Sequence, residues 1–419
     1  MIVRDGYDYI LRMERLGYLL YLIKENEYYF SNNTNISDIY CEGNYYSLSR
    51  KHANKTLINN FFKDYKGRFI KTTSNEDFIS FPTTIFLEVT RRCNLECSHC
   101  FNSCGLDDND DLCFYTIDKL ITELHHMGIT TIKITGGEPF MRKDIFEIFD
   151  ILENMNIKFI VFTNGSFINS IYVKKLKSYS HLLCIRVSID GNEETNDKIR
   201  GLGSFSRAID ALKLLEINKI PCEINYTITK VNYNQLCEVG NYLTMNSLNC
   251  LINIGAVKIA GRAKNKDTYK YYFDKGETDI FIKNVKVQIS QSDRIKSFYM
   301  LEPLYYKLYG QDYGCPGARL TATVKNNGDV FPCGLLADYE EFICGNVNRN
   351  SFKEVWGGIR MQNFRSLPES SSCIWCSFYK NGCTGACRAN ALNYFGDICE
   401  EDINCAFYTT DFNELRYSK

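Results

Sequence analysis

The sequence predicts an α/β fold: a partial (β/α)6 TIM-like barrel with a small N-terminal domain before it and a cysteine-rich C-terminal domain after it. Three observations carry this expectation. From about Thr84, strand-like apolar runs alternate with amphipathic, helix-like stretches, which is the pattern of a parallel βα architecture. Before residue 80 that rhythm is absent. From Cys315 onward the chain is dense in cysteine and glycine and has few long periodic segments, as expected where bound metal replaces part of a hydrophobic core.

Residues 1–80 contain short aromatic-rich runs, Tyr18 to Ile23 and Glu27 to Phe30, followed by a helix-like stretch from Lys55 to Tyr65. They read as a separate small domain. Six strands are expected at 84–89, 131–135, 158–162, 184–189, 222–228 and 251–257, with helices between them such as Ile117 to Met127 and Asn232 to Met245. Right-handed βα units of this number make an open barrel over residues 81–262, whose ligands gather at the carboxyl ends of the strands. Residues 263–312 are charged and tyrosine-rich and read as a helical bridge, and residues 313–419 form the last domain.

With 419 residues, 45% of them hydrophobic and 24% charged, the chain can build a full-sized core in two or three domains. A formal net charge of -1 lacks the basic excess of a nucleic-acid binder, so small or peptide substrates are favoured. The N-terminus, MIVRDGYDYILRMERLG, has charges scattered through it and reads as neither signal peptide nor anchor. No later apolar run is long enough to span a membrane, so a cytoplasmic protein with no membrane partner is expected. Nineteen cysteines in a long chain without an export signal point to reduced thiols, and clustered reduced thiols more often hold metal than form disulfides.

Cys93, Cys97 and Cys100 lie in the run TRRCNLECSHCFN, directly after the first expected strand. A cubane iron–sulfur cluster needs four ligands, so three thiolates leave one iron open to something else. A structural zinc site would close with a fourth cysteine or histidine, for which His99 is the only nearby candidate. The second strand ends in Thr135-Gly136-Gly137-Glu138-Pro139, where paired glycines let a ligand approach the backbone and the glutamate adds a carboxylate. The third ends in Thr163-Asn164-Gly165 and the fourth in Val187-Ser188-Ile189-Asp190-Gly191. Alone, each of these is an ordinary turn; their joint placement at successive strand ends is the signal.

Together these motifs resemble the radical SAM superfamily. The resemblance implies a [4Fe-4S] cluster on Cys93, Cys97 and Cys100, with its open iron chelated by the amino and carboxylate groups of S-adenosylmethionine. It implies that the turn Gly136, Gly137, Glu138 and Pro139 receives the amino group and that Ser188 contacts the ribose. Arg200, in the run NDKIRG, would pair with the methionine carboxylate, a role that suits its bidentate fork. His99 and Asn164 complete the expected cofactor-contacting set. Val257 and Ile259 would flank adenine ahead of Gly261-Arg262-Ala263, another turn the family often shows.

Toward the C-terminus, Cys315, Cys333, Cys373, Cys376, Cys383, Cys387 and Cys405 form an ordered series. Spacing alone also permits two zinc knuckles. The series resembles the SPASM extension of radical SAM enzymes, which implies two auxiliary iron–sulfur clusters of [4Fe-4S] type. By that resemblance Cys315, Cys333 and Cys387 bind the first, and Cys373, Cys376, Cys383 and Cys405 the second. The spacer between Cys376 and Cys383 is one residue longer than the family pattern. No cysteine occurs between Cys250 and Cys315, so the first set is one ligand short, and Cys344 or a substrate cysteine is the candidate to complete it. Gly334 follows Cys333 where sulfatase-maturing relatives carry an aspartate, which counts against sulfatase maturation. Cys184, Cys222 and Cys250 lie in apolar runs and read as small core residues, and Cys104, Cys113 and Cys399 stay unassigned.

The resemblance implies an enzyme that cleaves S-adenosylmethionine to a 5'-deoxyadenosyl radical, which takes hydrogen from the substrate. A ribosomally made precursor peptide containing cysteine is the expected substrate, gripped through the N-terminal domain by analogy with the winged-helix-like leader-binding modules of peptide maturases, and thioether (sulfur-to-carbon) crosslinking is the expected outcome. Carbon–carbon crosslinking and epimerisation are the alternatives, and a non-catalytic metal-binding protein is the reading from another class. A ferredoxin- or flavodoxin-type electron donor is implied. No residue stands out as catalytic acid or base.

Overall fold

The computed structural model describes residues 81–106, 111–258, 260–264, 284–285, 287–288, 291, 294–296, 315–366, 371–375 and 387–400, together with four strands before them. Those strands, β1 (Tyr9–Glu14), β2 (Gly17–Leu22), β3 (Glu27–Ser31) and β4 (Gly67–Lys71), form a sheet of their own in the order β3-β2-β1-β4. The expected runs at Tyr18 to Ile23 and Glu27 to Phe30 fall on β2 and β3; the helix-like stretch at 55–65 lies outside the described residues.

The second sheet holds the six expected strands as parallel neighbours in chain order: β5 (Thr84–Glu88), β6 (Thr131–Thr135), β7 (Lys158–Thr163), β8 (Leu182–Ser188), β9 (Cys222–Ile228) and β10 (Leu251–Ala256). Alternation sorts their side chains. Ile132 and Ile134, Ile185 and Val187, Ile224 and Tyr226, and Ile252 and Ile254 join one apolar core with Ile117, Ile121 and Leu124 of the helix Phe114–Met127. The residues between them, such as Lys133, Arg186, Glu223 and Asn225, occupy the opposite face, so the parallel sheet is apolar toward its helices and polar on the other side.

Two helix starts differ from the sequence reading. The first begins at Phe114, three residues early, and stops at Gly128, whose φ of 78° is a left-handed C-cap. The other begins at Leu236 rather than Asn232. Asn232 is occupied elsewhere: its Oδ1 accepts from Thr229 N at 2.6 Å, and its Nδ2 donates to Asp190 O at 3.0 Å and Thr227 O at 2.9 Å. A side chain that brackets two strand ends in this way competes with helix formation.

The sheet continues beyond the six strands at both edges. The segment expected to be a helical bridge contributes a short strand, β11 (Ile295–Lys296), parallel to β10. At the other edge β12 (Thr321–Val324) pairs in parallel with β5, Thr321 opposite Thr84 and Val324 opposite Leu87, and is followed by antiparallel β13 (Asp329–Phe331) and β14 (Gly345–Asn346). The C-terminal segment thereby covers the backbone donors and acceptors of the first barrel strand. Among the described residues no helix is long and apolar enough to cross a membrane.

Candidate functional site

The loop after β5 carries Cys93, Cys97 and Cys100, all three of them free thiols. Cys93 and Cys97 are buried with Leu95 and Cys104 in an apolar cluster separate from the main core, and Cys100 packs against it. Backbone bonds pin the loop at several points: Cys93 N donates to Gly105 O at 2.9 Å, Ser98 N to Ile199 O at 2.9 Å and Cys100 N to Cys97 O at 3.1 Å. Burial pushes the Cys93 thiol up to about 11 and raises that of Cys97 as well. Cys100 is brought down to about 5, chiefly by a hydrogen bond with the Cys104 thiol. Cys104, unassigned from sequence, is thus a fourth thiol of this pocket, signalled only by its place four residues after Cys100. Among the described residues no three acidic, cysteine or histidine side chains stand in a ready-made coordination sphere.

The paired glycines of the next strand end are required by this loop. A Cβ on Gly136, whose φ is 142°, would lie 2.2 Å from Thr90 O, and one on Gly137 would lie 2.3 Å from Arg92 O. In their absence Gly137 N donates to Thr90 O and Glu138 N to Arg92 O, both at 2.8 Å. The Glu138 carboxylate, fully buried, accepts from Asn164 N at 2.7 Å, Thr163 Oγ1 at 2.8 Å and Phe140 N at 3.2 Å. Glu138 therefore ties the ends of β6 and β7 together, and Pro139 starts the short turn that follows. Burial drives its carboxyl up to about 7 against the pull of those donors. Asn164 donates to Asn94 Oδ1 at 2.8 Å, and its Nδ2 lies 3.9 Å from Cys93 Sγ.

Asp190, read from sequence only as part of a strand-end turn, is the hub of the site. Its Oδ2 accepts from Arg200 Nε at 2.5 Å and lies 2.7 Å from His99 Nε2, and its Oδ1 accepts from Thr227 N at 2.6 Å. Burial pushes this carboxyl up, but Arg200 and His99 overcome it and hold the group at about 2. With its Nε edge taken by Asp190, Arg200 brings Nη1 to 4.0 Å from Cys97 Sγ. Ser188 is the half-buried last residue of β8, paired with Asn225. Val257 is buried, and Ile259 lies outside the described residues.

In the C-terminal domain, Cys333 and Cys315 are neighbours: burial first, then Cys315, raises the Cys333 thiol to about 11. Cys387 caps the helix Arg388–Phe395, and Cys373 is buried in the turn Ser372–Trp375. Cys376, Cys383 and Cys405 lie outside the described residues. Cys344 lies just before β14, where its backbone N donates to Val330 O at 2.8 Å. Its thiol is driven up to about 12 by burial, its charged neighbours are Arg360 and Arg365, and its Sγ donates to Phe342 O at 3.5 Å. Cys250 and Cys184 are buried and Cys222 packs on the main core, as expected of small apolar residues.

The chemistry of the cysteine loop suits iron–sulfur ligation: unbridged thiols share one small cluster, with amide and guanidinium groups beside two of the sulfurs. Two family models match the chain, the radical SAM superfamily over residues 87–243 and the iron–sulfur cluster-binding SPASM domain over residues 315–387. The Fe-coproporphyrin III synthase of Methanosarcina barkeri is 35% identical over 346 residues, covering 76% of this chain and 86% of that protein. Mycofactocin maturase MftC of Mycobacterium tuberculosis is 30% identical over 319 residues, covering 74% of this chain and 78% of that protein. In fold, the chain resembles Streptococcus suis SuiB, crystallised with S-adenosylmethionine and also with its precursor peptide SuiA. The S-adenosylmethionine complex superposes with a TM-score of 0.71 at 18% identity, covering 96% of this chain and 99% of that one.

Proposed function

From the premise that this chain belongs to the radical SAM superfamily and carries its SPASM extension, we propose that it matures a ribosomally made, cysteine-containing precursor peptide by forming a thioether crosslink. Cys93, Cys97 and Cys100 hold a [4Fe-4S] cluster in this reading. Cys315, Cys333 and Cys387 hold one auxiliary cluster, and Cys373, Cys376, Cys383 and Cys405 the other. When bound, the cluster and S-adenosylmethionine supply a 5'-deoxyadenosyl radical able to remove hydrogen from an unactivated carbon.

The chain's own residues prepare that chemistry. Gly136 and Gly137 let backbone pass where any side chain would collide, which keeps the strand end and the cysteine loop in register. Asp190 fixes Arg200 by its Nε edge and leaves the Nη groups to bind a carboxylate and to face Cys97. Asn164 takes the equivalent place beside Cys93. Leu95 and Cys104 close the pocket against water, which suits a site that must protect a radical from competing hydrogen donors. Ser188 stands at the end of β8, where a ribose hydroxyl would be met.

The observation that carries the thioether reading is the ligand count. No cysteine lies between Cys250 and Cys315, so the family resemblance leaves three thiols for the first auxiliary site, and Cys344 or a cysteine of the peptide is the fourth donor. SuiB, crystallised with a precursor peptide, supports a peptide substrate, and MftC, named as a maturase, supports a maturation reaction. The relative named as an Fe-coproporphyrin III synthase supports a second reading, radical chemistry on a porphyrin. An external ferredoxin or flavodoxin serves as electron donor in either case.

Co-expression with a neighbouring cysteine-containing peptide, followed by accurate mass and fragmentation, tests the proposal. Loss of two hydrogens per link with thiols no longer alkylatable is the expected result. The same mass loss with every thiol still alkylatable points to a carbon–carbon link, and an unchanged mass removes crosslinking and leaves epimerisation. Turnover of an iron porphyrin with no change in the peptide overturns peptide maturation.

A further inference from the structure

The turn Gly261–Lys264, after β10, sits between the cysteine loop and the C-terminal domain and is bonded to both. On the loop side, Arg262 N donates to Cys100 O at 3.0 Å, Arg262 Nε to Cys97 O at 2.9 Å and Arg262 Nη1 to Cys104 O at 2.8 Å. One residue from the far end of the barrel thus holds three carbonyls of the loop. Its approach depends on glycine: a Cβ on Gly261, whose φ is 55°, would lie 2.4 Å from Phe101 O. On the other side, Asp338 Oδ2 accepts from Gly261 N at 3.0 Å and pairs with Lys264 Nζ at 3.0 Å. Lys264 also lies over the Tyr339 ring at 4.2 Å. Tyr339 in turn donates from its hydroxyl to Asn393 Oδ1 at 3.0 Å, and Asn393 belongs to the helix that Cys387 caps. A continuous line of polar contacts runs from the Cys387 helix to the backbone of Cys97 and Cys100.

We propose that Asp338 is a positioning residue for the Cys93–Cys100 loop. It anchors the Gly261–Lys264 turn so that the Arg262 fork stays on the loop carbonyls, and it makes the order of that loop depend on the C-terminal domain. Arginine is suited because Nε and Nη1 reach two separate carbonyls in a fixed plane, which a lysine ammonium cannot reproduce. Coupling of this kind is reciprocal, so whatever orders the C-terminal domain also orders the loop. The inference uses the proposed cluster role only to say what the loop is for; the contacts stand without it.

The test is thiol alkylation of the full-length, metal-free chain, resolved cysteine by cysteine by peptide mass spectrometry, with exposed Cys113 as the internal reference. In Asp338→Ala and Arg262→Lys, Cys97 and Cys100 should alkylate about tenfold faster relative to Cys113, as loss of one charge-assisted hydrogen bond allows. Asp338→Asn keeps an acceptor for Gly261 N and should restore most of the protection. In the reconstituted protein the same variants should shift the midpoint potential of the barrel cluster, because the dipoles around its ligands move. Alkylation ratios within about twofold of the parent in both Asp338→Ala and Arg262→Lys, with circular dichroism unchanged, would overturn the proposal. If Asp338→Ala does not fold, Arg262→Lys decides it. Failure of the cluster reading shows separately, as a parent protein that reconstitutes no cluster while the alkylation pattern holds.

Discussion

Lys325 Nζ lies 2.7 Å from Glu88 Oε2, and both side chains are buried. Asn102 joins them, donating to the same Glu88 oxygen at 2.7 Å and accepting from Lys325 at 3.1 Å. Glu88 ends β5, Asn102 follows the cysteine loop and Lys325 follows β12, so the triad fastens the loop to the seam where the C-terminal segment adds to the barrel sheet. Burial raises the Glu88 carboxyl, and Lys325 is the main force opposing that.

Removing one member of this pair should cost more than removing both. Lys325→Met leaves a buried carboxylate without its partner, and a loss of about 3–5 kcal/mol is expected. The double variant Lys325→Met/Glu88→Leu should recover part of that loss. Thermal unfolding of the parent and both variants checks the order of the three midpoints.

Glu138 gives a pH dependence of definite sign. Its carboxyl is raised from 4.5 to about 7, so between those values the native chain keeps a proton that the unfolded chain has released. The stabilisation is fully present below about 4.5 and is lost as pH rises through about 7, a change of about 3 kcal/mol at about 1.4 kcal/mol per unit. Glu138→Gln should flatten the fall in unfolding midpoint across this window. A slope identical to the parent's would mean that another group titrates there.

Gly136→Ala places a methyl group 2.2 Å from Thr90 O at a φ of 142°. Backbone strain of about 1–3 kcal/mol is expected, relieved only by displacing the cysteine loop. Iron bound per chain after anaerobic reconstitution should drop, whereas Gly357→Ala, with open space around the new Cβ, should load like the parent.

Cys97→Ala should abolish dithionite-driven cleavage of S-adenosylmethionine, followed as release of 5'-deoxyadenosine, while Cys184→Ala retains it. Asp190→Asn separates positioning from ligation. Iron content should hold, and S-adenosylmethionine affinity should weaken about tenfold or more as Arg200 loses its charged anchor. Equilibrium binding to the reconstituted protein measures this, and an unchanged affinity would remove Arg200 from the proposed carboxylate contact.

Much of the barrel was legible in the sequence. The strands at 131–135 and 222–228 were placed to the residue, because alternation within a strand and periodicity along a helix are local patterns. The strand-end motifs were legible too, since Gly136 and Gly137 announce a close backbone approach wherever they occur. Two features were not. Asn232 looked like a helix start and is a bracket between two strand ends. Asp190 looked like a turn residue and gathers Arg200, His99 and Thr227.

By itself the sequence determined the family and the six parallel strands, because each of these is written in local patterns along the chain. Only the tertiary structure decided that the C-terminal segment completes the edge of β5, that Glu88 meets Lys325 across 237 positions, and that Arg262 and Asp338 hold the cysteine loop from the far side. Partners of a sheet edge or a buried charge are chosen by which surfaces the folded chain brings together, and no local pattern encodes that choice.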